Sequence, residues 1–134
     1  SPIGELNEFA NEYCDSLYET TNVVAIISDR DNIIAIAGGS RKEYLEKRVS
    51  PELERIMESR NTYITDNGNK PIKLFYEDED PNDYSAQVIS PIVMQGDPIG
   101  TVILMSKEPN VTMGELEVKL TETAAGFLSK QMEN

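Results

Sequence analysis

A paired run of β-forming residues, Ala86 to Lys107 (AQVISPIVMQGDPIGTVILMSK), constrains this chain more than any other stretch. Val, Ile and Thr dominate its halves, Gln87–Met94 and Pro98–Ser106, which suits a pleated, packed surface. Between them Gly96 can take positive φ, and Pro98, with no N–H to give a ladder, belongs at a strand's start. The pattern predicts a long antiparallel hairpin at the middle of a sheet. After Thr101 the second half is apolar at both parities, as in a strand covered on both faces. One cover is expected to be helices. The other is expected to be a pocket or loops, and that second face is where function would sit.

The flanking chain supplies those covers. Ile3 to Thr20 reads as a helix, with apolar residues at Ile3, Leu6, Ala10, Tyr13 and Leu17, widened by Phe9 and Cys14. That 3-4-3-4 seam fits either a helix lying on its own sheet or one shared with a second copy. Asn22–Ser28 and Ile33–Ala37 read as a second hairpin around the polar turn Asp29-Arg30-Asp31-Asn32. Ser40 with Glu43 fits a capping box, so a helix is expected from Ser40 to Lys47. Ser50-Pro51 opens another, with Leu53, Ile56 and Met57 as its apolar stripe. Tyr63–Thr65 and Ile72–Phe75 are expected as short strands around the turn 66–69, and 77–83 as an exposed acidic loop. Thr112 and Glu115 make a further capping box. The last helix then carries Met113, Leu116, Leu120, Ala124, Phe127 and Leu128 on one face. Gly126 within it costs about 1 kcal/mol against Ala, which close packing would offset.

At 134 residues the chain is read as one domain, 1–134, with a formal net charge of −12, one cysteine and no histidine. Such an acidic surface repels phosphates, so the domain is not expected to grip nucleic acid itself. The missing histidines remove the commonest general base and metal ligand. No catalytic constellation stands out, so no enzyme, cofactor or metal is expected. The single cysteine fits a reducing, cytoplasmic setting, and no stretch reads as a membrane span. The start at Ser1-Pro2 without Met is expected of a piece of a longer protein. The resulting fold class is α+β: an antiparallel sheet with terminal helices on one face and short helices and loops over the other.

This layout resembles that of GAF domains, relatives of the PAS sensor fold. More closely, the chain resembles the C-terminal domain family of stage V sporulation protein T regulators of spore-forming bacteria. The resemblance rests on Phe9-Ala-Asn-Glu-Tyr, Asp29-Arg-Asp, Ser40-Arg-Lys-Glu-Tyr-Leu, Ser90-Pro-Ile-Val, and above all Gly96-Asp-Pro-Ile-Gly and Glu122-Thr-Ala-Ala-Gly-Phe-Leu. It implies a regulatory domain of a transcription factor, whose DNA-binding part would precede Ser1. It also implies that terminal helices of two copies pack as a four-helix bundle, with a higher oligomer left open for the full protein. A sensing pocket for an unidentified small molecule completes what the family likeness implies.

Candidate pocket residues are Ile27, Ile36, Leu45, Leu53, Met57, Phe75, Val88 and Val102, with Ser40 and Arg41 as polar anchors. The same residues would equally fill a closed core, leaving a domain that only dimerises. Candidate dimer-interface residues are Leu6, Phe9, Tyr13, Leu17, Leu116, Leu120, Ala124, Phe127 and Leu128. Some GAF domains reduce free methionine sulfoxide with paired cysteines. Cys14 has no partner and sits on an apolar helix face, the setting of a packing residue. The acidic loop lacks the glycine and alternating ligands of a calcium loop, and Gly38-Gly39-Ser40-Arg41 lacks the Walker spacing.

Overall fold

The computed structural model describes residues 2–66 and 68–133, with side chains from residue 6. Helix α1 (Pro2–Thr21) leads into β1 (Val24–Asp29) and β2 (Ile33–Ala37). One turn of helix, α2 (Arg41–Tyr44), and a longer helix, α3 (Pro51–Ser59), follow. The two-residue strand β3 (Tyr63–Ile64) precedes the hairpin β4 (Ala86–Met94) and β5 (Asp97–Ser106), and α4 (Glu115–Glu133) closes the chain. The strands form one antiparallel five-stranded sheet in the order β2-β1-β5-β4-β3.

The expected central hairpin is present, with β5 in the middle of the sheet. Its turn puts Gln95 at φ 51° and Gly96 at φ 85°. Two successive positive φ values match the right-handed twist of the flanking strands. The register runs from Met94↔Asp97 to Ala86↔Ser106, with one irregularity between Ile92 and Val93.

Helix α1 lies over β1 and β2, and α4 over β4 and β5, on the same face. Their shared layer is filled by Leu6, Ala10, Cys14 and Leu17 from α1 and by Ala124, Ala125, Leu128 and Met132 from α4. Beneath them lie Ile27, Val88, Ile92, Val102 and Leu104 of the sheet. Full burial of such a side chain contributes about 1.5–3 kcal/mol. The opposite layer holds Ile26, Ile36, Ile89, Ile103 and Met105 of the sheet under Tyr44, Leu53, Ile56, Met57, Leu74, Phe75 and Tyr84.

Several local expectations shift for identifiable reasons. The helix after Ser40 stops at Tyr44. There Glu46, at φ 65°, turns its N–H to the Ile33 carbonyl at 2.8 Å, and Ile33 N–H returns to Lys47 O at 2.9 Å. Residues 72–75 form no strand, only an isolated bridge from Val49 to Phe75. Side chains replace the ladder: buried Gln87 accepts from Ile72 N–H at 2.8 Å and donates Nε2–H to Ile72 O at 2.9 Å. Helix α4 begins at Glu115, two residues later than a cap at Thr112 would start it. Gly114 N–H donates to Glu117 Oε1 at 2.7 Å, so Glu117 supplies the reach-back that Glu115 was expected to make. Ile3, in the predicted seam, and Asn67, in the predicted turn, have side chains outside those described.

Candidate functional site

The face away from α1 and α4 is roofed by α2, α3 and the segment after β3. Ser50 anchors that roof twice. Its Oγ accepts from Leu53 N–H at 3.0 Å, capping α3, and donates to Lys73 O at 2.6 Å. Arg60, at φ 60°, ends α3 and donates from Nε to Gly96 O at 2.8 Å, tying the helix to the central turn. Leu53, Ile56 and Met57 then face the sheet, and the Tyr44 and Phe75 rings meet edge to face at 5.4 Å.

Inside this layer sits a polar cluster. Glu79 Oε1 accepts from the N–H groups of Leu74 (2.6 Å) and Phe75 (3.3 Å), and its Oε2 accepts from the Tyr84 hydroxyl. The Tyr84 hydrogen is thereby committed, so Tyr44 donates across the 2.7 Å separation of the two hydroxyls. The Lys107 ammonium lies 5.5 Å from the Tyr44 ring centre and 5.4 Å from that of Tyr84, and pairs with Glu43 at 3.2 Å.

Burial raises the Glu79 carboxyl above its ordinary range, although Tyr84, the two N–H groups and Lys107 all favour the anion. Burial and the neighbouring Glu79 push the Tyr84 phenol up, and burial pushes Tyr44 up. For Lys107, partial burial pulls downward, but Tyr44 and Glu43 outweigh it and the net direction is up. Among the described residues, no buried side-chain nitrogen or oxygen lacks a hydrogen-bond partner.

The structure divides the candidate pocket residues between two layers. Ile36, Leu53, Met57 and Phe75 share the roofed layer, and Leu45 packs half-buried against it. Ile27, Val88 and Val102 point the other way, into the layer under the helices. Strand parity is the reason: a one-residue shift moves a side chain to the opposite face. Ile26, Ile89 and Ile103 take the places those three were expected to hold. Ser40 spends its Oγ on Glu43 N–H at 3.1 Å, and Arg41 is exposed. Ser40 also borders a cavity of about 430 Å³, along with Tyr18, Asn22, Val24, Tyr44 and Lys107. Sequence reasoning missed Tyr44, Glu79, Tyr84 and Lys107. Glu79 was hidden in a run of acids, where one inward carboxylate looks like its neighbours.

The candidate dimer residues also separate. Leu6, Leu17, Ala124 and Leu128 are buried within the chain itself, so Leu6, Ala10 and Leu17 of the seam predicted on α1 face its own sheet. Phe9, Tyr13 and Leu120 are only partly covered, Phe127 is 43% exposed and Leu116 is 65% exposed. An outward groove between the two helices, about 540 Å³, is lined by Phe9, Tyr13, Leu17, Leu120 and Phe127. The Tyr13 and Phe127 rings lie 5.5 Å apart across it. Gly126 meets no atom within 4 Å of an added Cβ and stays exposed, so close packing does not offset its cost within the chain.

Cys14 is fully buried, and burial followed by the charge of Asp15 pushes its thiol well above the ordinary range. The described residues contain no group of three or more His, Cys, Asp or Glu able to hold a metal ion. None of their helices is long and apolar enough to cross a membrane.

Comparison with known proteins places this geometry. Stage V sporulation protein T of Bacillus subtilis (strain 168) is 47% identical over 133 residues, spanning 99% of this chain and 72% of that protein. The GAF domain from an Acinetobacter phosphoenolpyruvate-protein phosphotransferase superposes with a TM-score of 0.74 at 13% identity, over 96% of this chain and 82% of that one. A type II free methionine-R-sulfoxide reductase from Thermoplasma acidophilum does so with a TM-score of 0.66 at 15% identity, over 96% and 95%. At these identities the structural likeness shows the fold alone. Residues 5–133 match the family described as "Stage V sporulation protein T C-terminal, transcription factor", and this chain belongs to that family, as a regulatory domain with the GAF fold.

Proposed function

We propose that this domain pairs with a second copy through α1 and α4 and relays a small-molecule signal from its roofed face to an N-terminal DNA-binding module. The observation that carries the pairing is the apolar groove of Phe9, Tyr13, Leu120 and Phe127, with exposed Leu116 on the same helix as the last two. Among the described residues, Leu116 and Phe127 are two of the three large hydrophobic side chains that are well exposed, the third being Tyr76. Apolar patches rimmed by polar residues mark interaction sites. The family likeness supports a second copy as the occupant, in a four-helix bundle.

The relay follows from connectivity. Helix α1 is the element that an N-terminal DNA-binding module would adjoin, and a shift in the bundle would alter the spacing of two such heads on half-sites. On the other side, Thr62, two residues beyond the α3 cap at Arg60, donates its hydroxyl to Glu122 of α4 at 2.7 Å. Its Oγ1 also lies 3.0 Å from the Ser90 hydroxyl, itself 2.7 Å from Thr121 of α4. Movement of α3 thus has a short hydrogen-bonded route to α4. A ligand shifts this equilibrium only by its differential affinity for the two arrangements.

A second reading, a dimerisation module that takes no ligand, draws support from the filled roofed layer. DNA binding by the full protein separates the two. A sensor changes its DNA affinity when a metabolite extract is added, and the change is lost when α3 is decoupled by Thr62→Val. A dimerisation module gives one affinity in every extract.

A further inference from the structure

Of the carboxylates in the acidic segment, Glu77, Asp78, Asp80 and Asp83 are exposed, whereas Glu79 turns inward. Donors from separate parts of the chain meet it: two backbone N–H groups at 74–75 and the Tyr84 hydroxyl, which is itself backed by Tyr44 of α2. Lys107, at the end of β5, adds positive charge over both rings. Two N–H donors on one oxygen and a phenol on the other, beside an ammonium group, is how a protein receives an external carboxylate. The occupant rides on residues 76–80, which have no helix or strand. Tyr44 and Lys107 also border the 430 Å³ cavity, which is lined too by Tyr18 and Asn22, at the end of α1 and just beyond it.

Resting on the reading that the roofed face receives the signal, we propose that the donors around Glu79 form a carboxylate-binding site held shut by the chain's own side chain, which a small-molecule carboxylate displaces. Displacement frees residues 76–80 from the roof. It also brings a ligand to Tyr44 and Lys107, from which the cavity leads to Tyr18. A singly charged carboxylate fits better than a phosphate. The donors serve two oxygens, and the net charge of −12 opposes a multiply charged anion. Glu79 competes from a tether, at an effective concentration of roughly millimolar or above, so a free ligand must outbid it.

The test uses sodium acetate as the probe and sodium chloride at equal ionic strength as the control, read by backbone amide NMR. In Glu79→Ala, acetate is expected to give saturable shifts at the Leu74 and Phe75 amides, and chloride none. Adding Tyr84→Phe weakens acetate about tenfold, the loss of one hydrogen bond to a charged group. The unmodified domain needs at least about tenfold more acetate for the same shifts. If Glu79→Ala does not fold alone, recovery of its folded circular dichroism with acetate but not with chloride is the same result. Equal responses to the two salts, or none, overturn the proposal. A metabolite that perturbs α2 and α3 of the unmodified domain without moving the Leu74 and Phe75 amides also overturns it, while leaving the sensing reading in place. Acetate shifts at those amides that never reach α1 or α4 uphold the site and remove the relay.

Discussion

The Tyr84 hydroxyl donates to Glu79 while accepting from Tyr44 at 2.7 Å, so one phenol joins α2 to the acidic segment. Replacing Tyr84 with Phe leaves a partly buried carboxylate short of one donor. Stability should fall by about 1–3 kcal/mol at neutral pH, measured by urea unfolding. A loss within a few tenths of a kcal/mol would mean that water satisfies Glu79 equally well.

The raised pKa of Glu79 has a definite sign. The folded chain holds this proton more tightly than the unfolded chain. The associated stability is therefore fully present below the ordinary carboxylate value, about 4.3, and lost as pH rises through the raised folded value. Urea unfolding of the native chain and of Glu79→Gln, run between about pH 4 and pH 8, isolates this group. The stability of the native chain relative to the Gln variant should decline with rising pH. A relative gain would show that the hydrogen bonds outweigh burial.

Cys14 should not react with a thiol reagent in the folded domain, because it is fully buried and its thiolate is disfavoured. Labelling should appear only with unfolding, at a rate that follows denaturant concentration. Prompt labelling in native buffer would require α1 to leave the sheet.

Gly126 and Leu128 make opposite predictions two positions apart on α4. Gly126→Ala gains helix propensity where nothing crowds the new methyl group, so stability should rise by about 1 kcal/mol. Leu128→Ala removes a fully buried side chain between α4 and the sheet and should cost about 2–5 kcal/mol. Thermal unfolding of both variants checks the pair. A loss in Gly126→Ala would place that position in a contact with another chain.

The central hairpin was legible because β-branched residues, a turn glycine and a strand-opening proline agreed along 86–107. The terminal helices were legible from apolar spacing, and α3 from Ser50-Pro51. Parity was not: Ile27, Val88 and Val102 lie on strands apolar on both faces, where composition does not distinguish one side from the other. The seam on α1 was read correctly as apolar, but spacing does not say what covers it, and most of it meets the sheet. The Glu79 cluster was illegible for a different reason. It is assembled from residues 44, 74–75, 79, 84 and 107, and no local pattern links them.

Native mass spectrometry of the domain at low micromolar concentration, with and without Phe127→Glu, tests the paired-helix account most directly. Phe127 lines the groove and is 43% exposed, so the substitution should leave the chain's own core intact. The account predicts a dimer for the native sequence and a folded monomer, with unchanged helical circular dichroism, for Phe127→Glu. A native sequence that stays monomeric at every concentration, or a dimer indifferent to Phe127→Glu, would contradict it.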